Sequence, residues 1–505
     1  MRITVVCLLE RIDRILSDHK FHLLVLFVLA SLILFSHLHE GGLSGYDDAL
    51  YAHEGKQMLI TGDWWNVRFN GYPNFEYPPM FIWLEALSMK VLGISDFAAK
   101  FPSALSALLT IVLVFYLTRE LGGGKVLAIS ASWILMLSQY FIKYAMHAMT
   151  DAPFTFFMTL SLYWYLKGLK NRNYLILCGL AIGAGIMTRS VIGLIPVAIM
   201  AGHLMVTRQA LQFRSIRLVV GLSIALLLPC CWYFSQYSLH GEPFLSRHLS
   251  FIGGKVHNGG EWDPRLFVFG LLQYPGLLLK LYWPWLPFML FGLALQFKRA
   301  IHRESAALML IIWVFLVVVP FSLAEAKVLR YIMPAFPAFA ILAAAPVVRL
   351  ISLIRRPVFL RAAYAALIAA VLFISCFPTP MRRAEDLIAL APKVDARATP
   401  SQRVIFYTDG PARFDRVAQF LWYSNRFCAH LVEPGELAEA LKAKRSQLFI
   451  MAVEDYEQLV ANSGVEVEMI IRTKNLVCFS TSVVDRTMRL EHEQSNADRD
   501  ESETE

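Results

Sequence analysis

The stretch Gly45-Tyr46-Asp47-Asp48-Ala49-Leu50-Tyr51-Ala52-His53-Glu54, continued by Thr61-Gly62-Asp63-Trp64 and closed by Phe75-Glu76-Tyr77-Pro78-Pro79, decides how this chain is read. It gathers Asp47, Asp48, Glu54, Asp63 and Glu76 among aromatics and prolines, directly after the first long apolar run, Phe21 to Phe35. Elsewhere the chain uses charge sparingly. Only 17% of its 505 residues are charged, 57% are hydrophobic and the mean hydropathy is +0.51. Soluble domains carry about a quarter charged residues, so this is a membrane chain. A cluster of acids just outside a first membrane helix either does chemistry or is a solvated linker.

The net charge of +8 matters less than where the charges lie. No Lys/Arg run has the spacing of a nucleic-acid module, so nucleic acid is not expected as a partner. Positive charge beside membrane spans reports orientation. Hydrophobic segments predict spans near 21–38, 97–118, 125–142, 151–167, 174–188, 190–206, 218–236, 281–297, 305–323, 330–347 and 360–378. With a cytoplasmic N-terminus, the inside loops collect Arg119/Lys125, Lys167/Lys170/Arg172, Arg208/Arg214/Arg217, Lys298/Arg299/Arg303 and Arg349/Arg355/Arg356/Arg361. That pattern holds only if the apolar stretch 267–279 does not cross, so it reads as a re-entrant or interface-lying helix. About eleven crossings result. The N-terminus has Arg2, Arg11, Arg14 and Lys20 but no A-x-A cleavage site after its apolar run, so it reads as an uncleaved first helix.

Pro378 and Pro380 mark a boundary. The expected division is a transmembrane domain over 1–380 with an external loop at 39–96, then an extracytoplasmic α/β domain over 381–484. An acidic, aperiodic tail over 485–505 is expected to be disordered. Strands are expected at Arg403–Tyr407 and Gln447–Met451, and a helix from Pro434 to Lys444. Cys428 and Cys478 share this soluble region, so one disulfide is open to them. No CxxC and no zinc spacing occurs.

The same topology sorts the polar residues. Asp47, Asp48, His53, Glu54 and Glu76 face outside. So do Asp151, the hairpin Thr188-Arg189-Ser190, the long loop 237–265 with Arg247, His248, Lys255 and His257, and Glu325 to Tyr331 with Lys327 and Arg330. Charges at span ends that converge on one cavity are functional candidates. Each also has a plainer explanation. Ser44 could cap a helix that has Asp47 and Asp48 in its first turn. On such a helix Asp47, Tyr51 and Glu54 share a face, which suits a lined cavity or a helix lying on the membrane. Asp151 could cap the fourth span. Arg189, Lys327 and Arg330 could anchor at lipid headgroups. Trp64, Trp65, Trp283 and Trp285 fit an interface belt better than a binding box, and His248 and His257 fit loop residues better than metal ligands.

At these residues the chain resembles a known family. Asp47-Asp48-x-x-Tyr51-Ala52-x-Glu54, Gly62-Asp63-Trp64 and Phe75-Glu76-x-Pro78-Pro79 are similar to the first external loop of GT-C glycosyltransferases, nearest to the bacterial aminoarabinose transferase and protein O-mannosyltransferase group. Phe97 to Ala104 resembles the family's ARLPSAL segment, and Thr150-Asp151 its second acidic position. Gly179 to Gly193 resembles its G-x-x-x-L-T-K-G hairpin, Pro284-Trp285 its PW, and Lys327-x-x-Arg330-Tyr331-x-x-Pro334 its K-x-x-x-Y-x-x-P. Any one motif is weak; six in order on one predicted face, over about 21 to 350, are strong. The chain departs from the family at Asp48, where Glu is usual, and at Tyr77, where a Lys that helps bind the lipid phosphate is common. That counts against the aminoarabinose substrate in particular.

The resemblance implies a polytopic helical GT-C fold of about eleven to thirteen transmembrane helices in the plasma (bacterial inner) membrane, with the C-terminal domain outside. It implies transfer of a sugar from a polyprenyl-phosphate donor to an acceptor, which could be lipid A, another glycolipid, a wall polymer or a protein hydroxyl. Asp47 would be the base and Asp151 a second catalytic carboxylate. Glu76, Asp48 and His53 would contact acceptor or metal. Arg189, Lys255, Lys327, Arg330 and Tyr331 would bind the lipid phosphate. A divalent metal ion could assist, though no clear ligand set is visible. One base and a departing phosphate make a single inverting displacement; retention would need a second, nucleophilic carboxylate. A secondary transporter would instead place its acids near mid-membrane on broken helices, with internal repeats, and none is found. A membrane sensor that binds a ligand or partner outside would leave the Asp47 loop idle.

Overall fold

The structure, a computed structural model, describes residues 19–209, 215–256, 264–324, 328–353, 357–376, 384–399, 402–408, 414–442, 447–463 and 467–480. Residues 1–18, the tail 485–505 and Lys327 lie outside the described residues, as do the side chains of Tyr46 and Lys255. The chain divides into two compact units. One is Met1–Leu43 with Tyr51–Met381; the other is Ser44–Leu50 with Arg382–Glu505.

The first unit is helical. Its helices are α1 (His19–Phe35), α2 (Gly45–Thr61, whose first turns group with the second unit), α3 (Met80–Leu92), α4 (Asp96–Glu120), α5 (Lys125–Met136), α6 (Gln139–Ala145), α7 (Asp151–Lys170), α8 (Tyr174–Arg189) and α9 (Ile195–Val206). They continue as α10 (Ile216–His240), α11 (Glu242–Val256), α12 (Pro264–Leu281), α13 (Trp285–Ile301), α14 (Ser305–Leu323), α15 (Phe336–Ser352) and α16 (Pro357–Cys376). The expected external loop is therefore mostly helix, α2 and α3, with a small hairpin of β1 (Arg68–Phe69) and β2 (Tyr72–Pro73) between them. The segment expected as a loop over 237–265 is also largely helical: α11 follows α10 after a single break at Gly241, whose φ is +62°.

Among the described residues, Asp96–Glu120, Tyr174–Val206, Ile216–His240, Ser305–Leu323 and Arg330–Ser352 are long and apolar enough to cross a membrane. The pair α5 and α6, bent by 62°, makes a sixth if counted as one span. The Tyr174–Val206 run doubles back on itself. Ser190 takes a positive φ of 54°, and a Cβ on Gly193 would collide with the backbone of Ile186 and Gly185. The hairpin expected at 188–190 is thus present. Helices α8 and α10 then lie side by side in the same direction, with Gly179 against the Gly221 carbonyl and Gly183 against Ala225. Only glycine permits so close a backbone approach. This parallel pairing brings the C-terminal ends of both helices to one end of the bundle.

Helix α12 covers the stretch expected to be re-entrant. Its Tyr274 hydroxyl donates to the Val328 carbonyl at 3.1 Å, and the following Tyr282 packs edge-on against Phe336 at 5.3 Å. Its middle and its end therefore both run alongside the 328–336 segment. The core of the unit is a continuous apolar cluster that includes Ile111, Phe154, Leu162, Trp313, Phe336 and Phe339.

The second unit is an α/β domain. A five-stranded sheet runs in the order β4 (Cys428–Leu431), β3 (Arg403–Tyr407), β5 (Gln447–Ala452), β7 (Leu476–Ser480), β6 (Glu468–Arg472). The first three strands are parallel and the last two antiparallel. Strand alternation sends Ile405, Phe449 and Phe479 to one face, where they meet Leu437 and Tyr456 of the helices Pro434–Lys442 and Val453–Ser463. Phe406 points the other way, onto Phe420 of helix Phe414–Tyr423. The expected strands at 403–407 and 447–451 and the helix from 434 are all present, the helix being described as far as Lys442. The disulfide is not. Cys428 and Cys478 are buried free thiols. Their strands β4 and β7 are separated by β3 and β5, about 14 Å at three strand spacings, whereas a disulfide needs Cα atoms within about 7 Å.

Candidate active site

Four segments of the helical unit bring polar side chains together at one end of the bundle. Asp151 opens α7, in its first turn, and Arg189 ends α8; the two helices form an antiparallel pair, so these termini meet. Arg189 Nη1 donates to Asp151 Oδ1 at 2.7 Å, with side-chain exposures of 3% and 2%. Arg330, in the 3-10 turn Leu329–Ala335, places its Nε 4.0 Å from Asp151 Oδ2 and keeps 20% of its side chain exposed. Tyr331 and Tyr77 flank the Arg189 guanidinium, with ring centroids at 5.6 and 6.0 Å. Arg189 is therefore no headgroup anchor, and Asp151 is no simple cap. They are a buried ion pair with a second, more accessible arginine beside it. Arg189 Nε is buried and has no hydrogen-bond partner among the described residues, which leaves a donor for an incoming acceptor oxygen.

The acids of the opening loop separate by environment. Asp47 is in the first turn of α2 and half-buried. Asp48 is fully buried and accepts from both the backbone N–H and the hydroxyl of Ser44, so the helix-start explanation holds for it. Glu54 is buried and accepts from Asn74 Nδ2 at 2.5 Å. Burial pushes its carboxyl well above the usual range; the Asn74 hydrogen bond opposes this and the Glu76 charge adds to it. Asp63 makes a turn, accepting from Trp65 and Asn66 with Arg68 nearby. Partial desolvation raises the Asp63 pKa, but these hydrogen bonds and the Arg68 charge outweigh it and hold the carboxyl below its usual range. His53 is buried, accepts from the Asn70 N–H at 3.4 Å and meets Phe69 edge-on. Glu76 donates its backbone N–H to Asn74 Oδ1. Asp48, Glu54, Asp63 and His53 thus serve the loop's own fold.

A divalent metal would need several oxygen or imidazole ligands converging on one point. Among the described residues no group of three or more His, Cys, Asp or Glu does so. Asp151 is taken by Arg189, Glu54 by Asn74 and Asp48 by Ser44. Among the described residues these acids are engaged by protein partners rather than gathered as metal ligands.

Two of the residues named in the sequence have surroundings that it does not reveal. Tyr77 stands where a lysine is common in the resembling family, yet its ring packs on Arg189 and meets Tyr51 edge-on at 6.0 Å. His248, expected as a loop residue, is a buried member of α11 with both ring nitrogens engaged. The Trp65 indole donates to Ser235 and its carbonyl accepts from Trp232, so Trp65 is a packing residue, while Trp283 is 67% exposed and suits an interface belt.

The chain has the GT-C fold of solved membrane glycosyltransferases. The crystal structure of ArnT from Cupriavidus metallidurans bound to undecaprenyl phosphate aligns with a TM-score of 0.73 at 19% identity, covering 91% of this chain and 98% of that one. The archaeal oligosaccharyltransferase AglB from Archaeoglobus fulgidus, in complex with an inhibitory peptide and a dolichol-phosphate, aligns at 0.52 and 14% identity, covering 87% and 70%. In sequence, residues 76–233 match the family model described as dolichyl-phosphate-mannose-protein mannosyltransferase. The chain is 30% identical over 300 residues to an uncharacterised protein of Aquifex aeolicus, covering 59% of this chain and 58% of that protein. It is 28% identical over 345 residues to the undecaprenyl phosphate-alpha-4-amino-4-deoxy-L-arabinose arabinosyl transferase of Pectobacterium atrosepticum, covering 64% and 60%. The chain spans no more than about three-fifths of the length of these curated relatives.

Proposed function

We propose that this protein is a membrane glycosyltransferase that moves a sugar from a polyprenyl-phosphate carrier to an acceptor hydroxyl or other nucleophile on the outer face of the plasma membrane. The observation that carries this reading is the Asp151–Arg189–Arg330 cluster at one end of a bundle with the GT-C fold. Guanidinium groups bind phosphate oxygens through paired hydrogen bonds, and two of them stand here beside one carboxylate.

In this mechanism the acceptor O–H loses its proton to the Asp47 carboxylate as its oxygen bonds to the anomeric carbon. The bond from that carbon to the phosphate oxygen breaks, and its electron pair leaves with the polyprenyl phosphate. Phosphate is already a stable anion, so no general acid is needed; cations that hold it lower the barrier. Arg330, the more exposed arginine, makes the direct contact, with Lys255 and Lys327 as further cations. Arg189 sits behind it, held by Asp151 and offering its Nε. Asp151 is therefore a positioning carboxylate rather than a second base. A single displacement inverts the anomeric centre. Glu76 contacts the acceptor. The lipid, glycan or protein acceptor and the sugar are left open, and Tyr77 in place of a lysine separates this site from the aminoarabinose case. Deleting the gene and comparing envelope lipids, polymers and proteins by mass spectrometry tests the reading: one component should lose a single sugar mass. An unchanged envelope profile in a strain that makes the donor would overturn it.

A further inference from the structure

The His248 side chain touches three separate segments, at Phe75, Ser190 and Tyr233. Its Nδ1 lies 2.7 Å from the Phe75 carbonyl, which can only accept, so Nδ1 carries the proton. In the neutral ring Nε2 is then an acceptor. It faces the Ser190 hydroxyl and the Tyr233 hydroxyl, both at 3.1 Å, and these lie 2.7 Å from each other. The ring is 4% exposed and stacks on Phe244 at 5.7 Å, which in turn meets Phe75 edge-on. What these partners adjoin gives the arrangement its meaning. Phe75 immediately precedes Glu76 and Tyr77. Ser190 immediately follows Arg189 and holds a positive φ of 54°, a conformation that a non-glycine residue keeps only when its surroundings impose it.

We propose that His248 is a positioning residue for the donor-phosphate site: its two ring nitrogens tie the loop carrying Glu76 and Tyr77 to the hairpin carrying Arg189. The Nε2 side holds Ser190 in its strained conformation, which aims Arg189 at Asp151 and so sets where Arg330 rests. The Nδ1 side holds Phe75, which keeps the Tyr77 ring against the Arg189 guanidinium. The part concerning phosphate rests on the proposed function; the mechanical link between the two segments does not.

The two halves of the imidazole can be replaced separately. In His248→Asn the amide nitrogen takes the place of Nδ1 and keeps the Phe75 bond. In His248→Gln the longer side chain reaches the Nε2 position and keeps the Ser190 side. Hydrogen–deuterium exchange of the full-length protein in detergent should show the hairpin around 186–194 exchanging roughly tenfold faster or more in His248→Asn, and the 70–79 loop doing so in His248→Gln. His248→Ala should release both. Binding of undecaprenyl phosphate to the same samples should weaken about tenfold in the Ala and Asn variants and less in Gln, which loses the Tyr77 side but still holds Ser190. Identical exchange patterns in the Asn and Gln variants, or wild-type affinity in the Ala and Asn variants, would overturn the inference. A wild-type protein that does not bind undecaprenyl phosphate, with the exchange pattern still split as described, would instead overturn the proposed function and leave the linkage standing.

Discussion

Arg189 Nη1 donates to Asp151 Oδ1 across 2.7 Å, with both side chains almost wholly buried. Neither residue can be removed alone without leaving an uncompensated charge in the helical core. Taking away one partner of a buried pair costs about 3–5 kcal/mol, whereas replacing both with apolar residues of similar volume costs far less. Asp151→Ala should therefore lower the thermal midpoint in detergent sharply. The double variant Asp151→Leu/Arg189→Met should recover much of the loss while remaining inactive. Additive losses would show that the pair is not coupled.

Glu54 gives a pH dependence of defined sign. Burial, the largest effect, raises its carboxyl well above the usual range; the Asn74 hydrogen bond lowers it and the Glu76 charge raises it further. A carboxyl whose folded pKa exceeds its unfolded pKa binds more protons when folded. Stability is then highest below the unfolded value, near 4.3, and falls as pH rises towards the folded value. Glu54→Gln keeps an acceptor for Asn74 and removes the cost of burying charge. It should raise the thermal midpoint at pH 7–8, with the gain shrinking as pH falls towards 4. A gain independent of pH would contradict this assignment.

The close pairing of α8 and α10 depends on absent side chains. A Cβ on Gly179 would overlap the Gly221 carbonyl, and one on Gly221 would overlap the Leu175 carbonyl. Backbone cannot yield as a flexible side chain can, and overpacking of this kind costs about 1–3 kcal/mol or more. Gly179→Ala should lower the folded yield and the thermal midpoint. Gly253→Ala, with nothing within 4 Å of the added carbon, should be tolerated.

In the C-terminal domain, burial pushes the thiols of Cys428 and Cys478 up to about 12. Both should resist a thiol reagent at pH 8 in the folded protein and react after unfolding, and reducing agents should leave the domain's stability unchanged. Rapid labelling of either cysteine in the native state would contradict this.

Hydropathy and charge made the helical class, the hairpin at Ser190 and the strands at Arg403 and Gln447 legible, because each leaves a local signature of length, period or breaker residue. The convergence of Asp151, Arg189 and Arg330 was legible as a shared face, through the alternation of span ends. The Arg189–Asp151 pairing itself was not, since a 38-residue separation carries no periodic signal. The packing of Tyr77 and the helical setting of His248 were not legible for a related reason. An aromatic replacing a lysine registers in sequence as lost charge, whereas in the fold its ring covers a guanidinium. A histidine in a polar stretch resembles a loop residue until the helix around it is known. The Cys428–Cys478 disulfide failed because strand order, which sets them three strands apart, is not written in the spacing of two residues.

The central claim is transfer from a polyprenyl-phosphate sugar. Its most direct test is an assay of membranes containing the wild-type protein with radiolabelled undecaprenyl-phosphate sugars, both pentose and hexose, and a total envelope extract as acceptor. The expected result is label moving from the carrier into a larger product with one of these donors, falling at least about a hundredfold in Asp47→Asn and in Arg330→Ala. No transfer by the wild type from any donor would contradict the account, and undiminished transfer by Asp47→Asn would remove Asp47 as the base.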